Sequence, residues 1–353
     1  MKPVMRPLIR LSLSVLILYG CCAQSESEKK IEFVDETQFL MDTIVRIVVY
    51  DQDKPKTTIQ QAIRAAFQDM SEIEHLCSTT LDSSEISQIN RQASEEAIIV
   101  SESVRRILNA AIHYSQLTNG AFDVTILPVL KLWNFSTVYK KFRKPDSAEI
   151  TSALPLINYK NIQLAGKQVR LIAPGMAIDV GGIAKGYAID RAFQKLNELG
   201  ISDFMIDAGG DLRVQAGPVS KGKRRIWIKH PRAPQQLWGF FKRDTCAVAT
   251  SGDYERYFFE DSIRYHHILD PQTGYPARKS ISVTTVARTA MEADALATAI
   301  FVLGPVKGLT LADSLPTVET VILYEENNTI NYVVSQGLRQ KLVTQRISVH
   351  DIQ

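Results

Sequence analysis

Apolar residues recur at helical spacing in four stretches of this chain, while the β-branched runs among them follow no regular strand–helix–strand alternation. Ile59, Ile63, Phe67, Met70, Ile73 and Leu76 define one face of a helix over residues 57–77. Val104, Ile107, Leu108, Ala111 and Ile112 define a second, which starts from an N-cap at Ser101 and stops near Asn119-Gly120. A third covers 183–199 and is closed by Gly200, and a fourth covers 292–303 and ends at Gly304-Pro305. Strand signals are short: 43–50, a hairpin over 162–172 around Gly166, then 204–207, 212–214, 225–228, 246–250, 281–287, 318–324 and 330–334. Residues 145–160 are turn-rich. Mixed sheets packed with helices account for this pattern, so the expected class is α+β rather than a doubly wound parallel sheet. At 353 residues, 45% of them apolar, the chain can bury a full core as one large domain or two moderate ones.

The N-terminus reads as a targeting segment. Lys2, Arg6 and Arg10 precede an apolar run over 11–19, too short for the roughly 20 residues that span a hydrocarbon core. The sequence Leu18-Tyr19-Gly20-Cys21 then resembles a bacterial lipobox, with Cys22 as a competing register. The expectation is a lipoprotein signal peptide over 1–20, acylation (palmitate) of the Cys21 thiol, and a polar tether over 21–38. The body would run from 39 to 336, followed by a C-terminal tail over 337–353. Such a protein would be lipid-anchored to a membrane of the bacterial cell envelope and face the periplasm. Without those three cations the 41 basic residues become 38, level with 38 acids, so nothing in the overall balance speaks for nucleic acid as a partner. Cys77 and Cys246 are the cysteines of the body, either as one disulfide or as two buried thiols.

Polar chemistry gathers in glycine-marked loops. Asp179-Val180-Gly181-Gly182-Ile183-Ala184-Lys185-Gly186 leads into a helix, where paired glycines admit a ligand to the backbone and the first-turn N–H groups can hold an anion. It is not a Walker A loop, because no Ser or Thr follows Lys185. Asp207-Ala208-Gly209-Gly210-Asp211 and Thr250-Ser251-Gly252-Asp253 are similar turns, and three of them suggest one extended polar ligand. Asn119-Gly120-Ala121-Phe122-Asp123, taken alone, is equally a helix C-cap and a turn. His266-His267 is no zinc signature without further spaced ligands, and capping is its ordinary role. Asp294 and Thr298 stand four apart on one helix face and can present two oxygens to Mg²⁺, although a first-turn acid also serves the helix dipole.

In their order, the blocks FLMDT, SSEISQIN, NGAFDVTILPVLKLW, AIDVGGIAKGYAIDRA, FMIDAGGDL, TSGDYERY, HHILDPQTGYP and EADALATA resemble the ApbE family of FAD:protein FMN transferases. The resemblance covers about 39–336 and makes that segment a flavin transferase domain. It implies a T-fold-related architecture with the ligand site between two lobes. FAD would be the substrate and Mg²⁺ the cofactor. FMN would pass from FAD to a Thr or Ser hydroxyl of an acceptor protein, with release of AMP, and the tether suits a membrane-associated redox subunit as that acceptor. Met41 and the backbone of Ala121, Phe122 and Asp123 would line the flavin nucleotide, Asp179, Lys185 and the backbone at Leu269 would contact FAD, Ser251 would neighbour its phosphates, and Thr80 would belong to the same FAD grip. Gly182, through its carbonyl, Asp294 and Thr298 would hold Mg²⁺, and His267 would be the base. Two positions depart from the pattern: Asp42 stands where glycine is common, and Thr80 where many members carry tyrosine. Hydrolysis of FAD to FMN and AMP, or flavin storage without catalysis, would need the same pocket.

Overall fold

The computed structural model describes residues 32–135, 142–218 and 223–348; the expected signal peptide, the expected acylation site Cys21 and most of the expected tether lie outside them. In chain order the elements are β1 (Val34–Leu40), β2 (Thr43–Val49), α1 (Lys56–Cys77), α2 (Glu85–Gln92), β3 (Ile98–Ile99), α3 (Glu102–Leu117), α4 (Leu127–Trp133) and α5 (Ser147–Ala153). Then come β4 (Ile162–Ala165), β5 (Gln168–Leu171), α6 (Gly181–Glu198), β6 (Phe204–Ala208), β7 (Asp211–Gln215), β8 (Arg224–Lys229), β9 (Gln236–Arg243) and β10 (Cys246–Gly252). The chain closes with β11 (Tyr257–Glu260), β12 (Ile263–His266), β13 (Ser282–Ala287), α7 (Ala290–Ser314), β14 (Glu319–Glu326), β15 (Thr329–Val334) and β16 (Val343–Ser348).

An antiparallel sheet of eight strands, in the order β1-β2-β6-β7-β10-β13-β14-β15, is the frame, and its composition places the chain in the expected α+β class. Side chains alternate across it. Ala247 and Ala249 of β10, Val283 of β13 and Ile322 of β14 join the helices α1, α3, α6 and α7 in the main core. Their neighbours Cys246, Val248, Val286, Val321 and Leu323 face the other way, onto Ile226, Ile228 and Phe241 of the small sheet β16-β9-β8. A third cluster, built on Trp133, Phe135 and Tyr265, backs the hairpin β11-β12. The described residues form one body, so the two expected lobes are regions around these cores rather than separate domains. Cys77 and Cys246 are free and buried in the cores on opposite faces of the sheet.

Several expectations on elements change. Residues 34–38 of the expected tether belong to β1, held by a full ladder to β2, and residues 343–348 of the expected tail form β16 on β9. Within the turn-rich 145–160 segment sits α5, whose capping box joins Asp146 and Glu149. The long apolar helix breaks at Gly304, where φ is +82°, as its Gly-Pro pair suggests; Pro305 then opens a second helical stretch to Ser314.

Candidate active site

The start of α6 and the start of α7 meet at the centre of the site. A Cβ on Gly186 would come within 2.3 Å of the Ala290 carbonyl oxygen, so glycine is what lets the two helix backbones touch. Asp190, one turn further along α6, accepts from Ala290 N at 2.8 Å and Met291 N at 3.0 Å and so fixes where α7 begins. That places Asp294 with its Oδ2 3.0 Å from Gly186 N. Thr298, one turn on, has its Oγ1 3.4 Å from Ser251 Oγ on β10 and 3.4 Å from where a Gly182 Cβ would stand. Phe122 Cε2 lies 3.3 Å from that same Gly182 position, which brings the Ala121-Phe122-Asp123 turn against the glycine pair.

Charges here are crowded. Lys185 Nζ is 2.6 Å from Asp211 Oδ2. Burial pulls the Lys185 ammonium down, but Asp211 and Asp294 more than offset it and raise its pKa above the usual lysine value. Asp294 is pushed up to about 7, by burial first and by the Asp211 charge second, with Lys185 opposing. Asp179 is raised by burial; its Oδ1 accepts from Gly181 N at 2.8 Å, and the neighbouring Asp42 charge pushes it further the same way.

The two histidines divide cleanly. His266 is buried, with Nε2 2.7 Å from the Ala277 carbonyl and Nδ1 accepting from Ile268 N at 3.3 Å, and its ring meets Phe301 edge-on. His267 is half-buried. Its Nδ1 lies 3.3 Å from the carbonyl of Arg256, a group that can only accept, so that bond puts the proton on Nδ1 and leaves Nε2 with its lone pair. Burial and the Arg256 guanidinium hold the His267 pKa well below 6.5.

The remaining expected residues have the following local settings. Met41 and Asp42 form the two-residue turn between β1 and β2, with φ of 55° and 58° and Met41 N bonded to Glu74 Oε1 at 2.6 Å. Both central residues are left-handed, a conformation that favours glycine and that aspartate tolerates better than most residues. Asp123 is buried, its Oδ1 taken by Thr125 N and Oγ1 and its Oδ2 by Tyr159 N, so its side chain ties the turn and only its backbone is offered outward. Leu269 is buried and bridged to Pro276. Thr80 is exposed on the turn after α1, its Oγ1 3.1 Å from Ser78 Oγ, and hydrogen-bonds to none of the other expected residues.

An ApbE family model matches residues 41–322. The chain belongs to the ApbE family. Among ApbE relatives, the FAD:protein FMN transferase of Vibrio cholerae is 31% identical over 305 residues, covering 85% of this chain and 89% of its own. That of Treponema pallidum is 29% identical over 335 residues, covering 90% and 91%. The solved ApbE protein of Thermotoga maritima superposes with a TM-score of 0.79 at 37% identity, over 88% of this chain and 99% of that one. Two residues of this arrangement carry no signal of their role in the sequence. Asp211 was visible as a carboxylate after a Gly-Gly turn, but its pairing with Lys185 joins β7 to α6 and has no local signal. Arg256 lies in the TSGDYERY block, and nothing there marks its carbonyl as the partner of His267.

Proposed function

We propose that this chain is an FAD:protein FMN transferase that works with Mg²⁺ and releases AMP. The observation that carries the reading is the α6–α7 contact, which brings the Gly182 backbone against Thr298 and sets Asp294 near the paired Lys185–Asp211, with a neutral histidine near Lys185. Carbonyl, carboxylate and hydroxyl oxygens are the donors a hard cation takes. Among the described residues no three His, Cys, Asp or Glu side chains cluster as a metal cage, and this suits Mg²⁺, which commonly keeps waters and substrate phosphates as ligands. When bound, Mg²⁺ would offset phosphate charge as a Lewis acid.

The chain's own residues account for the rest of the chemistry. Lys185, held by Asp211, presents a fixed cation beside the first turn of α6. His267 Nε2 takes the proton from the acceptor Thr or Ser hydroxyl; its oxygen forms a bond to the FMN-side phosphorus as the P–O bond to AMP breaks and the electron pair leaves with AMP. The pKa of His267 keeps it in its basic form at neutral pH. Asp179, Met41, Ser251, Leu269, Thr80 and the Ala121-Phe122-Asp123 backbone are the proposed FAD contacts. Acylation of Cys21 and a membrane-associated redox subunit as acceptor complete the proposal, and both place the protein at the cell envelope.

Incubating the protein with FAD, with and without Mg²⁺ and with and without an acceptor protein, tests this. AMP formed only when Mg²⁺ and acceptor are both present supports transfer. AMP without acceptor means hydrolysis, and bound FAD with no AMP under any condition means storage.

A further inference from the structure

The register of the large sheet gives it two unlike ends. At one end lie the Met41-Asp42 turn, Asp211 and Ser251, that is, the site. At the other, Val34 pairs with Val49, Val49 with Phe204, Phe204 with Gln215, Cys246 with Val214 and Ala247 with Ala287. The described chain therefore begins, at Glu32 and Val34, at the end of the sheet opposite the site. A cleft of about 840 Å³ opens at that same end, and its rim carries Lys223, Lys242, Arg243, Arg288 and Lys341. Two carboxylates stand among them. Glu319 is already engaged by Arg243 and lies 3.8 Å from Lys341, which leaves Asp244 against the other cations. Because the chain without its N-terminal segment is neutral overall, this concentration is local. Phe240 and Val343, the latter 43% exposed, line the same cleft.

We propose that this basic end binds an anionic phospholipid surface and turns the site away from it. Long basic side chains set among apolar ones suit a headgroup layer, where the stem packs and the charge meets phosphate. The point of chain entry supports the same occupant. From Cys21 to Val34 the chain spans at most about 45 Å and roughly 20 Å as a flexible coil, so a lipid on Cys21 would hold this end near its membrane. The orientation rests on that anchoring, whereas the contact with lipid does not.

Residues 32–353 form their own contact unit, so the protein lacking the N-terminal segment serves for the test. It is sedimented with vesicles of phosphatidylcholine alone or with added phosphatidylglycerol, at low and high salt. The expected result is pelleting with the anionic vesicles only, released by salt as the charges are screened. Lys223→Gln, Lys242→Gln and Arg288→Gln together should weaken it by about a hundredfold, at about fivefold per cation, with FAD binding unchanged. No pelleting at low salt, equal pelleting with neutral vesicles, or a triple variant that pellets like the parent overturns the proposal. Binding to polyglutamate but not to vesicles also overturns it and gives the face to an acidic protein. Membrane release of full-length Cys21→Ser is read separately, so a failed anchor and a failed lipid face are distinguishable.

Discussion

His266 and His267 are adjacent in sequence and opposite in task. His266 spends both ring nitrogens on the backbone of its own turn, while His267 is held only through Nδ1. His267→Ala should lower transfer by roughly 10²- to 10⁴-fold with FAD still bound by fluorescence, and His266→Ala should lower stability instead. Interchanged effects would move the base to His266. Since the His267 pKa lies well below 6.5, transfer at saturating Mg²⁺, which would keep Asp294 ionised, should stay level as pH drops from 8 to 6.5, whereas at limiting Mg²⁺ the protonation of Asp294 near 7 should already lower it. Thr80 makes a separate case. Its exposure leaves room for a larger ring, and Thr80→Tyr should tighten FAD by stacking of about 0.5–1.5 kcal/mol and suppress acceptor-independent AMP; unchanged FAD affinity and AMP release would mean the position is silent. Of the site, the residues marked by glycine turns were legible in the sequence because the backbone there needs glycine. Asp211 and Arg256 were not, because their roles depend on partners 26 and 11 residues away, Lys185 and His267, across a fold that spacing does not reveal.

Elements differ in how far their own residues determine them. α1, α3 and α6 run for 22, 16 and 18 residues, long enough for an apolar face to repeat, and they appear where that face predicts. α4 and α5 have seven residues each, barely two turns, and are held by packing and caps that periodicity cannot register. α7 is apolar enough to cross a membrane by length and composition, yet Ala293, Leu296, Ala297, Ile300 and Phe301 are fully buried in the main core, which accounts for the composition. Its contact with α6 gives a test with an informative sign. Gly186→Ala should gain up to about 1 kcal/mol in helix propensity if the site were ordinary helix. The Ala290 backbone at 2.3 Å instead forces the helices apart, so a net loss of about 1–3 kcal/mol is expected in urea unfolding. A stabilised variant would show that α6 and α7 do not touch there.

Across the whole molecule, buried groups set the response to acid. Burial lowers His266 to about 4, so between pH 6.5 and 4 the unfolded chain takes up a proton that the folded one refuses. Stability from this group is complete above pH 6.5 and is lost as pH falls toward 4, by roughly 3 kcal/mol. Asp123, Asp190 and Asp207 have raised values and act in the opposite sense, regaining stability as they protonate. Comparing the parent with His266→Gln isolates the histidine: the parent's advantage should shrink across that window, and a constant difference would mean that His266 does not resist protonation. The two free cysteines carry a last consequence. Burial pushes both thiols up to about 12, and the sheet stands between them, so the native body has no covalent link and almost no thiolate at neutral pH. In an oxidising medium, heating would therefore act as a ratchet: the chain leaves the native state with two masked thiols, meets the oxidant only once open, and is locked out of return by a Cys77–Cys246 bond the fold cannot contain.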